Sequence, residues 1–109
     1  MLFRSMGAVI LAGGTKGKRM ALPNSKILIH QGSAGFHGQP TDIEIQAREV
    51  IGLKRLMEEI MSNHTGQPID KVQKDMDRDY YMTAQEAKEY GIIDAVVKSR
   101  ESSRAAAAA

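Results

Sequence analysis

The longest regular pattern in the chain is an amphipathic segment over residues 41–64, and it limits the folds that are open to the whole chain. Thr41 and Glu44 have the spacing of a helix capping box, and Gly66 follows as a helix stop. At about 1.5 Å per residue, the predicted helix is about 36 Å long. Apolar residues recur in it at steps of three and four, the repeat of one helical face: Ile43, Ala47, Val50, Leu53, Met57 and Ile60.

This helix is long for a chain of 109 residues, which is enough for one small domain. Ile51, Leu56 and Met61 lie outside the main apolar stripe and widen it. A helix that is apolar over a wide surface is expected to be covered on more than one side. We therefore predict that it packs partly against another subunit.

The rest of the sequence predicts a mixed α/β domain. Ser5 is a good N-cap for a helix over residues 6–12, which Gly13 ends. The later elements are a turn over 15–20, a buried strand over 26–30, a loop over 31–40, a short helix from Pro68 to about residue 74, a polar turn over 75–82, a helix opened by a Thr83–Glu86 capping box and closed by Gly91, and a strand over 92–97.

Composition narrows the possible functions. The chain has no Cys, which excludes disulfides, thiolate zinc sites and cysteine nucleophiles and fits a reducing cytoplasm. The net charge is only +2, without a dense basic stripe interleaved with aromatics, so we expect no nucleic-acid partner. No run approaches the ~20 apolar residues of a membrane span, and we expect no membrane contact. A short signal peptide at the start is disfavoured because Gly13 and Gly14 end a brief apolar run.

Three side chains could form a nucleophilic site. Ser5 stands at a helix start, where the N–H of Met6 and the helix dipole favour developing negative charge. His30 ends a predicted strand and could act as the base, and Asp79 could orient it. Each also has an ordinary role, as a helix cap, a structural hydrogen-bonding group or a turn carboxylate. The residues alone allow these three side chains to form a catalytic site, but they do not show that the fold brings them together.

A resemblance to a known family favours the catalytic interpretation. From Ser5 to about Val97 the chain resembles, in order and spacing, the proteolytic subunits of the Clp protease family. The segments that carry it are Ser-Met-Gly-Ala at 5–8, Gly-Lys-Arg at 17–19, Ala-Leu-Pro-Asn-Ser at 21–25, Ile-His-Gln at 29–31, Gly-Gln at 38–39, Thr-Asp-Ile-Glu-Ile-Gln-Ala-Arg-Glu at 41–49, His-Thr-Gly-Gln at 64–67, Asp-Arg-Asp at 77–79 and Glu-Tyr-Gly-Ile-Ile-Asp at 89–94.

The resemblance implies a serine endopeptidase and assigns its residues. Ser5 matches the family's nucleophile, His30 the base and Asp79 the third member of the triad, while the N–H of Met6 matches an oxyanion donor. Asp77 and Arg78 resemble an ion pair that links the two rings of the family's assembly. No cofactor and no metal are implied.

The resemblance also implies an architecture: a crotonase-like α/β spiral, present here as its C-terminal half, over residues 1–98, followed by a polar and poly-Ala tail over 99–109. The family assembles as two stacked seven-membered rings around a closed chamber, and the long helix would be the inter-ring handle. Its partners are a Clp-family ATPase chaperone and peptide or unfolded protein substrates. We expect the same homo-oligomer and the same cytoplasmic location.

The chain departs from the family in ways that bear on activity. Family members carry about as much sequence again before the serine, including a Gly-rich loop that supplies another oxyanion donor. Leu2, Phe3 and Arg4 replace the family's small residues before the serine, and Gly32 stands where a proline is usual. We therefore expect a partial member with weak or no activity in isolation. The alternative is a catalytically inactive assembly or modulator subunit.

Three other site classes are disfavoured. Asp75, Asp77, Asp79 and Glu86 have the spacing of a calcium loop, but Tyr80 holds the position that requires Gly. Residues 13–19 lack the first glycine and the final Ser or Thr of a phosphate-binding loop. A crotonase-type acyl-CoA enzyme needs upstream backbone donors and does not use this Ser-His-Asp set.

Overall fold

A computed structural model describes residues 4–30 and 35–98, with side chains from Gly7 onward in the first range. The predicted tail over 99–109 and the substitutions at Leu2, Phe3 and Gly32 lie outside the described residues. In chain order the elements are α1 (Arg4–Ala12), β1 (Met20–Ala21), β2 (Lys26–Ile29), α2 (Pro40–Thr65), α3 (Ile69–Met76), β3 (Tyr80–Thr83), α4 (Ala84–Tyr90) and β4 (Ala95–Val96).

The strands form two small sheets within the described part of the chain. β1 pairs in parallel with β4, with Met20 opposite Ala95. β2 pairs antiparallel with β3, from Lys26 opposite Thr83 to Ile29 opposite Tyr80. The mixed α/β class is thus confirmed, whereas the spiral arrangement stays a prediction.

One hydrophobic core joins the helices to both sheets. Small residues on α1 allow this helix to lie close to β2, because Ala8 and Ala12 are buried beside the larger side chains of the strand. The buried members of the core are Ala8, Ala12, Ile27, Ile29, Met61, Val72, Met76, Met82, Ala87, Tyr90, Ile92 and Ile93.

The long helix α2 has the predicted extent but a different start. The capping box predicted at Thr41 and Glu44 is wrong: the N-cap is Gln39, without a side-chain cap bond, and Pro40 begins the helix. Proline has a fixed φ suited to the first helical position, so Thr41 is already inside the helix. Glu44 pairs instead with Arg48 at 2.7 Å. Gly66 ends the helix in the left-handed conformation, as predicted.

Only the C-terminal part of α2 enters the core. Glu58 and Met61 are its buried residues, and the fully described stretch 40–57 contains no buried side chain. Apolar residues are nevertheless frequent there, and several are exposed: Ile43, Ile45, Ile51, Leu53 and Leu56. The wide apolar surface that the sequence predicts is therefore present, and its cover by another subunit stays a prediction.

The segment 75–82 is not the polar turn that its composition predicts. Asp75 and Met76 complete α3, and β3 follows the short bend at residues 77–78. Tyr80, Tyr81 and Thr83 are residue types that favour strands, and the turn prediction did not take them into account. Pairing with β2 and burial of Met82 at 1 % exposure stabilise the strand.

The start of α4 is as predicted. The N–H of Glu86 donates to Thr83 Oγ1 at 3.2 Å, and the N–H of Thr83 donates to Glu86 Oε2 at 3.1 Å. Gly91 closes the helix with φ of +102°, and a Cβ there would overlap the carbonyl of Thr65. Both the left-handed backbone and this contact favour glycine.

Smaller differences concern the ends of the other elements. α1 begins at Arg4, so Ser5 lies within its first turn and is not the N-cap. The turn predicted over 15–20 ends one residue early, because Met20 belongs to β1, and the strand predicted over 92–97 is reduced to β4. Helix and strand types are correct at these places, and the boundaries are not.

An ion pair between the buried Arg19 and the partly exposed Asp94 connects four segments of the chain. Arg19 Nε donates to Asp94 Oδ2 and Arg19 Nη2 to Asp94 Oδ1, both at 2.8 Å. Arg19 Nη1 also donates to the carbonyls of Ala12, at 3.0 Å, and His64, at 3.2 Å. The backbone N–H groups of Gly17 and Arg19 donate to Asp94 Oδ2. The ends of α1 and α2 are thus tied to the β1–β4 pair.

We expect Asp94→Asn to lower the free energy of unfolding by about 1–3 kcal/mol at pH 7, because it leaves the buried Arg19 guanidinium without its anion while solvent still reaches the Asp94 side. The hydrogen bond from Arg19 holds the pKa of Asp94 well below its ordinary value of 3.8. The folded state therefore binds this proton less readily than the unfolded state. The contribution is complete above the ordinary value and is lost as the pH falls below it.

Urea unfolding at pH 7 and pH 3, followed by circular dichroism, measures this effect. The difference between wild type and Asp94→Asn should shrink at the lower pH, while the exposed control Glu49→Gln should change little at either pH. An equal difference at both values would contradict the assignment.

Candidate active site

The register of β2 against β3 brings His30 and Asp79 together. Ile29 lies opposite Tyr80 at the end of the paired region. His30 follows Ile29 and Asp79 precedes Tyr80, so in an antiparallel pair these two residues occupy the next opposite positions. Directly opposite residues of an antiparallel pair have Cβ atoms about 4.5–5.5 Å apart. His30 Nδ1 lies 3.9 Å from Asp79 Oδ1. Two predicted site residues, 49 positions apart in sequence, are therefore neighbours.

The two partners have different environments. The side chain of His30 is 9 % exposed and that of Asp79 is 64 % exposed. A distance of 3.9 Å is an ion-pair contact and exceeds the usual hydrogen-bond range of about 2.7–3.2 Å. The carboxylate is on the solvent side of a ring that is otherwise enclosed.

Ser5 lies in the first turn of α1, the helix that packs on β2. It precedes the buried Ala8 and Ala12 by three and seven residues, which is the spacing of one helical face. The side chains of Ser5 and Met6 lie outside the described residues. The structure therefore places the backbone of Ser5 on α1 but gives no distance from its hydroxyl to His30. The backbone N–H of Met6 belongs to the first turn, where amide groups have no partner within a helix.

Asp77 and Arg78 form the exposed bend between α3 and β3. Asp77 is the C-cap of α3 and lines a groove of about 500 Å³ between α2 and α3, among charged side chains that include Lys54, Arg55 and Lys74. Their predicted role in contact between rings stays a prediction.

Two of the four residues with the calcium-loop spacing have local structural roles. Asp75 belongs to α3 and accepts bonds from Lys71 at 2.9 Å and from the Tyr90 hydroxyl at 3.0 Å. Glu86 serves the cap of α4. No group of three or more His, Cys, Asp or Glu side chains with metal-binding geometry occurs in the described ranges.

The segment 13–19 also has a local role of its own. Its Gly17 and Arg19 N–H groups bind the chain's own Asp94 carboxylate, so the amides that a phosphate would require are engaged internally. Among the helices in residues 4–30 and 35–98, none is long and apolar enough to cross a membrane.

Sequence reasoning missed two polar clusters. One is the Arg19–Asp94 pair, and its signal was a carboxylate between Ile93 and Ala95 in an apolar run, where a buried charge requires a partner. The other joins Tyr90, Asp75 and Lys71. It had no comparable signal, since its members come from two separate helices.

His30 and Asp79 thus form an ion-pair contact at the end of β2, the strand on which the Ser5-bearing helix α1 packs. The sequence matches the family model described as Clp protease over residues 2–100. The chain belongs to the Clp protease family. The resemblance identified from the sequence is thereby confirmed, and the family is one of peptidases that form oligomeric rings with ATPase partners.

The β2–β3 register can be tested with cysteines, because the natural chain has none. Leu28 and Tyr81 are directly opposite, so their side chains leave the same face of the pair. We expect Leu28→Cys combined with Tyr81→Cys to form a disulfide under mild oxidation.

The matched control combines Leu28→Cys with Tyr80→Cys, one residue away and on the other face, and should stay reduced. Mass spectrometry after thiol alkylation distinguishes the two products. A disulfide in the control and not in the first pair would mean that the register is shifted and that His30 does not face Asp79.

Proposed function

We propose that this chain is a serine endopeptidase subunit of a Clp-type protease, with Ser5 as nucleophile, His30 as general base and Asp79 as the carboxylate that orients the base. The observation that carries the proposal is the antiparallel register of β2 and β3, which sets the imidazole of His30 opposite Asp79 at 3.9 Å. Family membership over residues 2–100 supports the peptidase class.

The proposed chemistry follows from which ring nitrogen meets the carboxylate. Nδ1 of His30 is on the Asp79 side, so Nε2 is the atom that accepts the proton of the Ser5 hydroxyl. Ser5 Oγ attacks the carbonyl carbon of the scissile peptide bond, and the imidazolium that forms is stabilised by Asp79. The same proton then passes to the leaving amine, and the acyl group stays on Ser5.

Two further features support the reaction. The N–H of Met6, at the positive end of α1, is suited to bind the oxyanion of the tetrahedral intermediate, and one such donor is typically worth about 10²–10³ in rate. Water then attacks the acyl group, with His30 again accepting a proton, and restores Ser5. The reaction requires neither a metal nor a cofactor.

The assembly and its partners are part of the proposal. The substrates would be peptides and unfolded polypeptides, cut inside a chamber of stacked rings and delivered by a Clp-family ATPase in the cytoplasm. The exposed apolar stretch of α2 supports a subunit contact there, in the role of the inter-ring handle. Asp77, which lines the groove between α2 and α3, and its neighbour Arg78 would form the inter-ring ion pair.

A fluorophosphonate probe tests the nucleophile directly. We expect slow labelling of the isolated chain at Ser5, in line with weak activity, and none in Ser5→Ala. Labelling in His30→Ala or Asp79→Asn should be slower again by about 10²–10⁴, because the hydroxyl loses its base or the base loses its orientation. Mass spectrometry of the labelled peptide and the rate of labelling are the measurements.

The matched carboxylate control is Glu89→Gln on the exposed face of α4, which should label as fast as wild type. If Asp79→Asn also keeps the wild-type rate, Asp79 is not part of the machinery. Labelling at a serine other than Ser5 would contradict the assignment of Ser5 as the nucleophile.

The second candidate is a catalytically weak or inactive subunit that enters Clp-type rings and modulates them. The exposed apolar residues of α2 favour it, because 18 consecutive positions from 40 to 57 contain no buried side chain. Surfaces of this kind usually mark protein contacts.

We expect the chain to co-assemble with a full-length Clp protease subunit, and Ile45→Glu to weaken assembly by at least about tenfold, since a buried unpaired charge costs several kcal/mol. Ile45 is 59 % exposed, so the monomer should tolerate the change. Native mass spectrometry measures assembly, with Gln85→Glu on α4 as control. Co-assembly without labelling of Ser5 favours the modulator, and labelling favours the peptidase.

A further inference from the structure

The turn that carries Asp79 has little packing of its own. Residues 77–79 join the end of α3 to the start of β3, and all three are exposed. The position of the Asp79 carboxylate is therefore set by how the two ends of this turn are held. At 3.9 Å from His30 Nδ1, a shift of less than 1 Å decides between a hydrogen bond and a looser contact.

Tyr90 contacts both ends of that turn. Its hydroxyl donates to Asp75 Oδ2 at 3.0 Å, in the last turn of α3. Its ring centroid lies 6.3 Å from that of Tyr80, the first residue of β3, at an interplanar angle of 44°. Asp75 precedes Asp79 by four residues and Tyr80 follows it by one, so one side chain spans the turn.

Tyr90 is itself firmly held. It is 6 % exposed, and Gln67 Nε2 donates to its backbone carbonyl at 2.8 Å. Lys71 Nζ bonds the same Asp75 oxygen at 2.9 Å and lies 5.0 Å from the centroid of the Tyr90 ring. Rotation of Tyr90 would break a charge-assisted hydrogen bond and a cation–π contact together.

The hydroxyl remains a donor over a wide pH range. Burial, then the hydrogen bond to the Asp75 carboxylate, raises the pKa of Tyr90 above its ordinary value of 10. The bond to Asp75 therefore persists at every pH where the proposed triad would operate.

We propose that Tyr90 is a positioning residue of the active site, which holds Asp75 and Tyr80 so that the turn between them presents Asp79 to His30. This inference rests on the proposed function, since Tyr90 acts through Asp79 and touches no reacting atom. No side chain in the arrangement is shared with the triad, so the two ideas can fail separately.

The test is Tyr90→Phe, which keeps the ring beside Tyr80 and removes only the bond to Asp75. We expect kcat for a fluorogenic peptide to fall roughly 3- to 10-fold, the worth of one hydrogen bond, with KM unchanged. Asp75→Asn, which weakens the same bond from the other side, should act in the same direction. Tyr81→Phe removes a hydroxyl from an exposed neighbour on β3 and is the matched control.

A double-mutant cycle separates positioning from general loss of structure. If Tyr90 acts through Asp79, Tyr90→Phe should have no further effect on kcat in an Asp79→Asn background. An equal reduction in both backgrounds would overturn the inference. If Asp79→Asn itself leaves kcat unchanged, the proposed function fails.

Hydrogen exchange of the full chain gives a readout that does not depend on activity. Tyr90→Phe should speed exchange of the amides at residues 77–80 and leave those at 86–90 near the wild-type rate. Unchanged exchange at 77–80 would overturn the inference even in a chain with no turnover. If exchange at 77–80 is faster but Asp79→Asn leaves kcat unchanged, the result supports the positioning of the turn by Tyr90 and contradicts the proposed function.

Discussion

The backbone pairing of β2 with β3 is the constraint on which the candidate site depends. The two strands are separated in sequence by α2 and α3, so their pairing joins residues at least 51 positions apart, such as Ile29 and Tyr80. Because side chains alternate across a strand, the register decides which residues become neighbours. Ile27 opposite Met82, both buried, fixes that register through the core, and the pairing of His30 with Asp79 is its consequence at the open end.

A second constraint holds the frame around that pair. Arg19 and Asp94 use a bidentate ion pair to join β1 to the segment before β4, and the remaining guanidinium donor reaches the carbonyl ends of α1 and α2. Helix C-termini carry partial negative charge, which suits a buried cation. The helix that carries Ser5 and the helix that projects from the core are therefore anchored on the same side chain.

Sequence reasoning was most successful where local chemistry decides the structure. The Thr83–Glu86 box, the Gly66 and Gly91 stops and the long periodic helix all depend on residues a few positions apart. It was wrong at two places. At the start of α2 the neighbouring Pro40 takes the first helical position, so Thr41 lies inside the helix and cannot cap it. At β3 the acidic residues before Tyr80 predicted a turn, whereas β2, more than 50 positions earlier, supplies the partner strand. The side chain of Ser5 lies outside the described residues, so its place in the triad stays a prediction.

The way α2 is fixed at one end has a mechanical consequence. Its C-terminal turns are held by the hydrogen bond from Arg19 to the His64 carbonyl and by the close contact of Gly91 with Thr65. Residues 40–57, in contrast, contain no buried side chain. A rod of that length, about 27 Å, magnifies rotation at its base: a swing of about 5° displaces the tip by about 2 Å. Any load applied to the tip would reach Gly91, and Tyr90 beside it, as torque. The unburied turns of this helix thus act as a lever arm that is longer than the anchored part.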